Sequence, residues 1–249
     1  NKVEPLHYNS QLPIPESKET TVLAIEGKAY VIYDISNNKL IMSQNAKQVL
    51  PLASLTKVIT VGTLLDTAKK DNVEIREDTK TKIKKALIQS SNEDADNLGY
   101  IYNYSFGGSL LEASNKLIYE LGITDLKLTN LTGLDNGDGT ASNIGSPESV
   151  AKIFAYMYKN HRDVFEYTKF DEVQTDGGVI RNTNQKTVNT FGIMASKTGF
   201  TYEAGGNLAV IVSPEPGKSY VIVVMQSTKE GRFKDVESIA KLLPIIIQN

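Results

Sequence analysis

The stretch "NLAVIVSPEPGKSYVIVVMQ", residues 207–226, decides the fold that the sequence predicts. Its two runs rich in β-branched residues, 207–213 and 219–226, are typical of buried strands, and the segment 214–217 between them predicts a turn. Because strands are predicted near both ends of the chain, we expect one antiparallel sheet completed by both termini. The three strands predicted near the N-terminus cover 21–27, 29–35 and 39–45.

Helical patterns fill the middle of the chain, so we expect a helical lobe inserted into the sheet. One helix is predicted after Ser109 and ends at Gly122, and another begins with Ser146 as its N-cap and Pro147 at its first position. The other predicted helices cover 54–70, 83–105 with an interruption at 90–92, and 234–244. These patterns predict a leader over 1–19 and one domain over 20–249, with its sheet part at about 20–60 and 190–249 and its helical lobe at about 61–189.

Composition excludes several classes of function. The 249 residues are 40% hydrophobic, enough for a large core, and carry a net charge of −2 with dispersed basic residues, so we expect no nucleic-acid partner. Zero cysteines exclude disulfides, thiolate nucleophiles and cysteine-ligated zinc. No apolar run reaches the roughly 18 residues that a transmembrane helix requires. The chain starts at Asn1 without an initiator Met, so we interpret it as a mature or trimmed form.

Histidine is scarce as well, since only His7 and His161 occur. His7 lies in the proline-containing leader, and we expect His161 to be a solvent-side residue that favours the C-terminus of a helix. A zinc hydrolase with two or three histidine ligands is therefore excluded. If the protein is a hydrolase, its general base is predicted not to be histidine.

One serine and one lysine stand three positions apart in "PLASLTKVITV", residues 51–61. On a helix, Ser54 and Lys57 would share a face with about 5–6 Å between their Cβ atoms. A lysine in an apolar wall has a lowered pKa, so it can activate a serine nucleophile. Taken alone, however, the pair fits a capping serine beside a lysine that reaches solvent better, because S-x-x-K occurs by chance in many helices.

Two further motifs change that balance: Ser90-Ser91-Asn92 and Lys197-Thr198-Gly199. The series S-x-x-K, S-x-N and K-T-G, in this order, is the signature of penicillin-interacting serine enzymes. Together with the segments around the motifs, the chain from about residue 20 to 243 resembles the serine-type D-alanyl-D-alanine carboxypeptidases, the low-molecular-mass penicillin-binding proteins. The resemblance implies a β-lactamase/transpeptidase-like fold of the α/β class (α+β type). Such a fold has a five-stranded antiparallel sheet flanked by terminal helices, an all-helical lobe, and the active site between them.

The resemblance also implies catalytic roles for the first two motifs. Ser54 would attack the carbonyl between the two terminal D-alanines of a stem peptide, and Lys57 would accept its proton. Ser90 would relay a proton to the leaving nitrogen, and Asn92 would hold both the peptide amide and Lys57. Water would then hydrolyse the acyl-enzyme.

The third motif would bind substrate. Lys197 would supply positive charge near the substrate carboxylate, Thr198 would bind that carboxylate, and Gly199 would leave room for the peptide. The backbone N–H groups of Ser54 and Phe200 would form the oxyanion hole. Arg232 is expected to help recognise the carboxylate, with Lys234 as its rival.

Two features depart from the family pattern. Ser54 and Ser90 are only 36 positions apart, which predicts a more open cleft rim on that side. Phe200 follows K-T-G where many relatives have histidine, a change that is tolerable if only its backbone N–H is used.

The resemblance implies a secreted hydrolase of cell wall biogenesis. Its partners would be peptidoglycan stem peptides and, as covalent inhibitors, β-lactam antibiotics; no metal or other cofactor is needed. We expect it in the bacterial periplasm or cell wall, with membrane anchoring left open. Three alternatives remain: a DD-endopeptidase acting on cross-links, an inactive peptidoglycan-binding module, and a β-lactamase. The last is disfavoured because no E-x-x-L-N string is present to activate a deacylating water.

Overall fold

The computed structural model describes residues 23–187 and 192–248, so the predicted leader over 1–19 lies outside the described residues. The strands are β1 (Ala29–Asp34), β2 (Lys39–Gln44), β3 (Leu50–Pro51), β4 (Ile144–Gly145), β5 (Glu172–Thr175), β6 (Gly178–Arg181), β7 (Ile193–Thr201), β8 (Gly205–Glu215) and β9 (Lys218–Ser227). The helices are α1 (Thr56–Lys70), α2 (Glu77–Lys84), α3 (Asn92–Phe106), α4 (Leu110–Glu120), α5 (Pro147–Asn160), α6 (Arg162–Phe165) and α7 (Gly231–Ile246). Short 3₁₀ turns cover Ala53–Leu55 and Glu166–Lys169, and a π-helical turn covers Lys85–Gln89.

A five-stranded antiparallel sheet in the order β2-β1-β9-β8-β7 forms the centre of the protein. Side chains alternate between its two faces, as the strand period of two requires. On β1, Ala29, Val31 and Tyr33 pack towards the helical lobe, whereas Tyr30 and Ile32 pack towards α7. Both faces are therefore covered. β7 lies at one edge of the sheet, which leaves that edge free to approach the turn before α1.

Four of the five strands predicted in the opening stretch and near the N-terminus are confirmed. They correspond to β8, β9, β1 and β2. The strand predicted over 21–27 is wrong for its described part, 23–27. There, the backbone N–H groups of Glu26 and Gly27 donate to the carboxylate of Asp235, each at 2.9 Å, and not to a neighbouring strand.

The helices also follow the prediction closely. The side chains of Ser109 and Ser146 cap α4 and α5 as predicted, and Gly122 takes a left-handed φ of 70° just after α4. The interruption predicted at 90–92 is the point where the π-helical turn ends and α3 begins. Besides its helices, the region assigned to the lobe contains the β5–β6 hairpin, which the sequence analysis did not predict. In the part of the chain that the structure describes, no helix is both long and apolar enough to cross a bilayer.

His161 is buried, with 6% of its surface exposed, so the expectation of a solvent-side residue is wrong. It does close the C-terminus of α5, where its N–H donates to the Met157 carbonyl. Its Nε2 lies 2.8 Å from Oδ1 of Asp66 on α1, and the hydroxyl of Tyr156 donates to the other oxygen of that carboxylate at 2.7 Å. The ring can be buried because a carboxylate on the adjacent helix is a hydrogen-bond partner for its nitrogen. His161 therefore joins α5 to the C-terminal half of α1.

Candidate active site

The turn that carries Ser54 is held against the sheet by backbone contacts. Ala53 adopts a left-handed φ of 48°, a conformation that costs an alanine free energy. The side-chain amide of Asn207, on β8, donates to the carbonyls of Pro51 and Leu52 at 2.9 and 3.2 Å. These contacts fix the 3₁₀ turn just before α1 begins, where backbone N–H groups lack helical partners.

Lys57 lies one turn after Ser54 and is fully buried. Its amine donates to three oxygens, each at 2.7 Å: the Ser54 hydroxyl, the Asn92 side-chain carbonyl and the Thr132 backbone carbonyl. Burial lowers the pKa of Lys57 to about 7, and the negative charge of Asp96 opposes the decrease. Near neutral pH, a large share of the amine is therefore neutral. The neutral amine has a free lone pair. It can therefore accept a hydrogen bond from the Ser54 hydroxyl, and then its proton, instead of donating to it.

The Thr132 carbonyl is presented by a loop that side-chain amides hold in place. Oδ1 of Asn130 accepts from the N–H groups of Thr132 and Gly133 at 3.1 and 2.7 Å. The amide of buried Asn143 donates to the Asn130 carbonyl and to the hydroxyl of Thr56, both at 2.9 Å. The loop is thereby tied to the first residue of α1, and its carbonyl is fixed beside the lysine amine.

Sequence reasoning missed this carbonyl, because a backbone oxygen has no residue-type signature. The one signal available in the sequence is Gly133. Its φ is 81°, and a Cβ built on it would lie 1.9 Å from the carbonyl oxygen of Ala53. Only glycine lets the loop pass this close to the nucleophile turn.

The second motif points two side chains into the same cleft. Ser90 has a left-handed φ of 63°, and the Ser91 hydroxyl accepts from the N–H of Asp94 at 3.1 Å, which starts α3. This sharp change of direction lets Ser90 and Asn92 reach different partners. Asn92 contacts the Lys57 amine, and Ser90 accepts from the Lys197 amine at 2.7 Å.

Lys197 is the second buried amine of the cleft, with 1% of its surface exposed. It also donates to the Thr198 carbonyl at 2.8 Å. Burial, and then the positive charges of Lys57 and Arg232, hold the pKa of Lys197 well below its usual range. The hydroxyl of Thr198 lies 2.6 Å from that of Thr183, a neighbour that the sequence analysis did not identify.

Gly199 packs directly against the nucleophile turn. A Cβ at this position would lie 3.1 Å from the Leu52 carbonyl and 3.3 Å from the Ser54 nitrogen, both tighter than ordinary contact. Its own carbonyl accepts from Nη1 of Arg232 at 2.6 Å. Since Arg232 is buried and Lys234 is exposed on the same helix, only Arg232 reaches β7.

The side chain of Phe200 stands at the rim of the cleft with 40% of its surface exposed. Its ring centroid is 6.4 Å from that of Tyr202 and 5.3 Å from the amine of Lys229. The ring therefore contacts rim residues, while the backbone of Phe200 continues the strand that runs past Ser54.

All three motifs meet at one cleft between the sheet and the lobe. One chain of contacts joins Ser54, Lys57 and Asn92, and a second joins Ser90, Lys197 and Thr198. A hydroxyl bonded to an amine with a pKa near neutrality, at the start of a helix, suits acyl transfer through a covalent intermediate.

Comparison with known proteins agrees with this geometry. The family model described as "D-alanyl-D-alanine carboxypeptidase", peptidase family S11, matches residues 16–103 and 83–229. A D-alanyl-D-alanine endopeptidase of Haemophilus influenzae is 27% identical over 209 residues, which cover 74% of this chain and 70% of that protein.

Solved structures share the fold. Penicillin-binding protein D2 of Listeria monocytogenes, in its cefotaxime-bound form, aligns with a TM-score of 0.78 and 26% identity over 91% of this chain and 99% of the other. The D-alanyl-D-alanine carboxypeptidase of Mycobacterium tuberculosis aligns with a TM-score of 0.74 and 18% identity over 91% and 95%. The expected five-stranded, β-lactamase/transpeptidase-like architecture is thus confirmed. Because the family model matches most of the sequence, this chain belongs to the S11 family of serine DD-peptidases, the D-alanyl-D-alanine carboxypeptidase family of penicillin-binding proteins.

Proposed function

We propose that this protein is a D-alanyl-D-alanine carboxypeptidase that removes the terminal D-alanine from peptidoglycan stem peptides through an acyl-enzyme on Ser54. The observation that carries the proposal is the 2.7 Å contact between the Ser54 hydroxyl and a buried amine whose pKa is about 7. A hydroxyl is a weak nucleophile until a base of suitable pKa removes its proton. An inactive binding module has no need of such a base.

In the acylation step, neutral Lys57 takes the proton of Ser54 while Oγ attacks the carbonyl carbon of the penultimate D-alanine. The carbonyl oxygen becomes an oxyanion, which the backbone N–H groups of Ser54 and Phe200 stabilise. The intermediate then collapses and the C–N bond breaks. The leaving nitrogen takes the proton of the Ser90 hydroxyl, the proton held by Lys57 replaces it on Ser90, and Lys57 is neutral again. The Asn92 amide orients both Lys57 and the peptide.

The terminal carboxylate lies at the Lys197 end of the cleft. The Thr198 hydroxyl donates to it, and Lys197 supplies positive charge through its contact with Ser90. Arg232 acts from behind the strand: its guanidinium is bonded to the Gly199 carbonyl at 2.6 Å, so its charge reaches the carboxylate site across the backbone. Water then attacks the acyl-enzyme, with Lys57 as the base, and restores Ser54.

Covalent labelling tests this mechanism. The Listeria relative was solved in cefotaxime-bound and ampicillin-bound forms, so we expect a fluorescent penicillin to acylate Ser54 and to raise the intact mass by the mass of the whole drug. Ser54→Ala should give no adduct, whereas Ser43→Ala, a matched change on the exposed face of β2, should label normally. A labelled Ser54→Ala variant, or an unlabelled wild type, would overturn the proposal. A long-lived adduct also separates this protein from a β-lactamase, which releases the drug quickly.

A DD-endopeptidase is the second candidate, because the Haemophilus influenzae relative carries that name. Both activities need the same nucleophile and base, so substrate preference has to decide. We expect faster release of D-alanine from an uncross-linked D-Ala-D-Ala peptide than cleavage of a purified cross-linked dimer, measured as kcat/KM. A tenfold preference for the dimer would assign the endopeptidase activity instead. In either case the substrate is peptidoglycan, so the proposed site of action is outside the cytoplasm.

A further inference from the structure

The loop after β6 brings to the third motif a hydroxyl that the mechanism above does not use. Oγ1 of Thr183 lies 2.6 Å from Oγ1 of Thr198, the residue assigned to the substrate carboxylate. We propose that Thr183 is a positioning residue, which donates its hydroxyl proton to Thr198 and thereby keeps the proton of Thr198 free for that carboxylate. This role rests on the proposed function, because it concerns the same substrate.

The order of donors in this pair follows from the distance between the two oxygens. At 2.6 Å one proton must lie between them, because two hydroxyl oxygens without a shared proton repel each other at that separation. Each hydroxyl has only one proton to give. If Thr198 supplied the shared proton, none would remain for the carboxylate. Thr183 must therefore be the donor of the pair whenever Thr198 donates to substrate.

Backbone contacts and a neighbouring side chain hold Thr183 in place. Its N–H donates to the Ile88 carbonyl at 3.1 Å, so the loop is bonded to the π-helical turn that leads to Ser90. The preceding residue, Asn182, is buried, and its side-chain amide donates to two backbone carbonyls at 2.8 and 2.9 Å. Because none of these contacts uses the hydroxyl of Thr183, a change of that side chain is expected to leave the loop where it is.

The chain of hydrogen bonds gives Thr183 an effect on a substrate group that Thr198 contacts. A hydroxyl that accepts a hydrogen bond becomes a stronger donor, because each bond in a chain polarises the next. The contact from Thr183 therefore strengthens the bond from Thr198 to the carboxylate and holds the rotatable hydroxyl of Thr198 in one orientation. Since its backbone is bonded to the segment that carries the second motif, Thr183 also links that motif to the third.

Two peptides test the assignment: Nα,Nε-diacetyl-L-Lys-D-Ala-D-Ala and the same peptide with a C-terminal amide. The ratio of kcat/KM for the acid to that for the amide measures recognition of the carboxylate. Thr183→Val keeps the shape of the side chain without its hydroxyl, so we expect this ratio to fall about fivefold, the effect of one hydrogen bond. The fall should come from a higher KM for the acid, with kcat nearly unchanged. Thr183→Ser keeps the hydroxyl and should keep the wild-type ratio.

Thr124→Val, a matched change at an exposed threonine in the loop after α4, serves as the control and should also keep the ratio. An unchanged ratio in Thr183→Val, or an equal fall in Thr183→Ser, would overturn the assignment. A loss in Thr183→Val that acid and amide share equally would do so as well, because a purely structural role affects both peptides alike.

A second pair of compounds separates this inference from the proposed function. If the wild type hydrolyses neither peptide, the proposed function fails, and the ratio is measured instead for the rates of acylation by a fluorescent penicillin and by its methyl ester. The same pair is used if the amide alone reacts too slowly. These two compounds also differ at a carboxylate, so a fivefold fall in Thr183→Val would support the role of Thr183 on its own. An unchanged ratio, or a wild type that neither penicillin acylates, would reject it.

Discussion

The cleft contains two buried lysines that differ in their surroundings more than in their burial. Lys57 is surrounded by oxygens from three separate segments and lies near the negative charge of Asp96. Lys197 contacts one hydroxyl and one carbonyl and lies near two positive charges. Burial lowers the pKa of both amines, but the neighbouring charge opposes that decrease at Lys57 and adds to it at Lys197.

The difference supports two distinct proposed roles for the two lysines of the same site. Lys57 needs a pKa close to the working pH, and the nearby carboxylate keeps it from falling further. Lys197 suits the binding of an anion, because a substrate carboxylate would offset the burial and the neighbouring positive charge that lower the pKa of its amine. The first amine thus suits proton transfer with Ser54, and the second suits anion recognition.

Replacing Lys57 should have the largest effect. Lys57→Met keeps the length of the side chain but removes the base, so we expect the second-order rate constant for acylation by a fluorescent penicillin to fall by about 10⁴-fold. Stopped-flow fluorescence measures this rate. Lys69→Met, a change near the end of the same helix and outside the cleft, serves as the control. A loss smaller than tenfold would assign the base to another group.

Replacing Lys197 should have a smaller effect, of about 10²–10³-fold, because the change removes electrostatic stabilisation and leaves the base in place. The two variants should also differ in kind. Because the peptide and the penicillin both carry a carboxylate, Lys197→Met is expected to raise the concentration of either that gives the half-maximal rate, whereas Lys57→Met should lower the maximal rate. Equal losses for Lys57→Met and Lys197→Met on both substrates would remove the distinction between the two amines.

The loop that presents the Thr132 carbonyl to Lys57 offers a third way to distinguish the two lysines. In Gly133→Ala, a Cβ would meet the Ala53 carbonyl at 1.9 Å on a backbone with φ of 81°. We expect a loss of about 3 kcal/mol in the free energy of unfolding, measured by urea denaturation, together with reduced acylation. Gly137→Ala, where a Cβ meets nothing within 4 Å, should change stability by less than about 0.5 kcal/mol. Similar values for both variants would contradict the close approach.

The pH dependence of kcat/KM should show the smallest of these effects. Lys57 must be neutral to accept a proton, so activity should rise with pH through an apparent pKa of about 7 and stay high above it. Because the charge of Asp96 raises the pKa of Lys57, Asp96→Asn should move this rise to lower pH. A shift to higher pH would show that the two charges do not interact as the structure indicates.

Much of the fold could be predicted from the sequence, because hydrophobic runs and caps are local signals. The runs at 207–213 and 219–226 appear as the buried strands β8 and β9, and Ser146 with Pro147 starts α5. The strand predicted over 21–27 was wrong in its described part. There, the distant carboxylate of Asp235 takes the backbone N–H groups that a strand would pair.

The candidate site could be predicted only where it depends on side-chain type. The spacing of Ser54 and Lys57 indicated the pair, and the structure places the two side chains in contact. The Thr132 carbonyl has no such signature, and Thr183 reaches Thr198 only through the folding of a distant hairpin. His161 was assigned to solvent because its partner, Asp66, lies 95 positions away and no local pattern reveals it.

The two glycines around the nucleophile turn limit how such an enzyme can change during evolution. Gly133 and Gly199 place backbone without a side chain against Ala53 and Ser54. A Cβ at Gly133 would collide with the turn, and a Cβ at Gly199 would crowd it. New substrate preferences therefore have to arise farther out, at exposed positions such as Phe200 and Tyr202 or along α3. Directed evolution of this protein should accordingly collect its adaptive substitutions at the rim and leave the innermost layer unchanged.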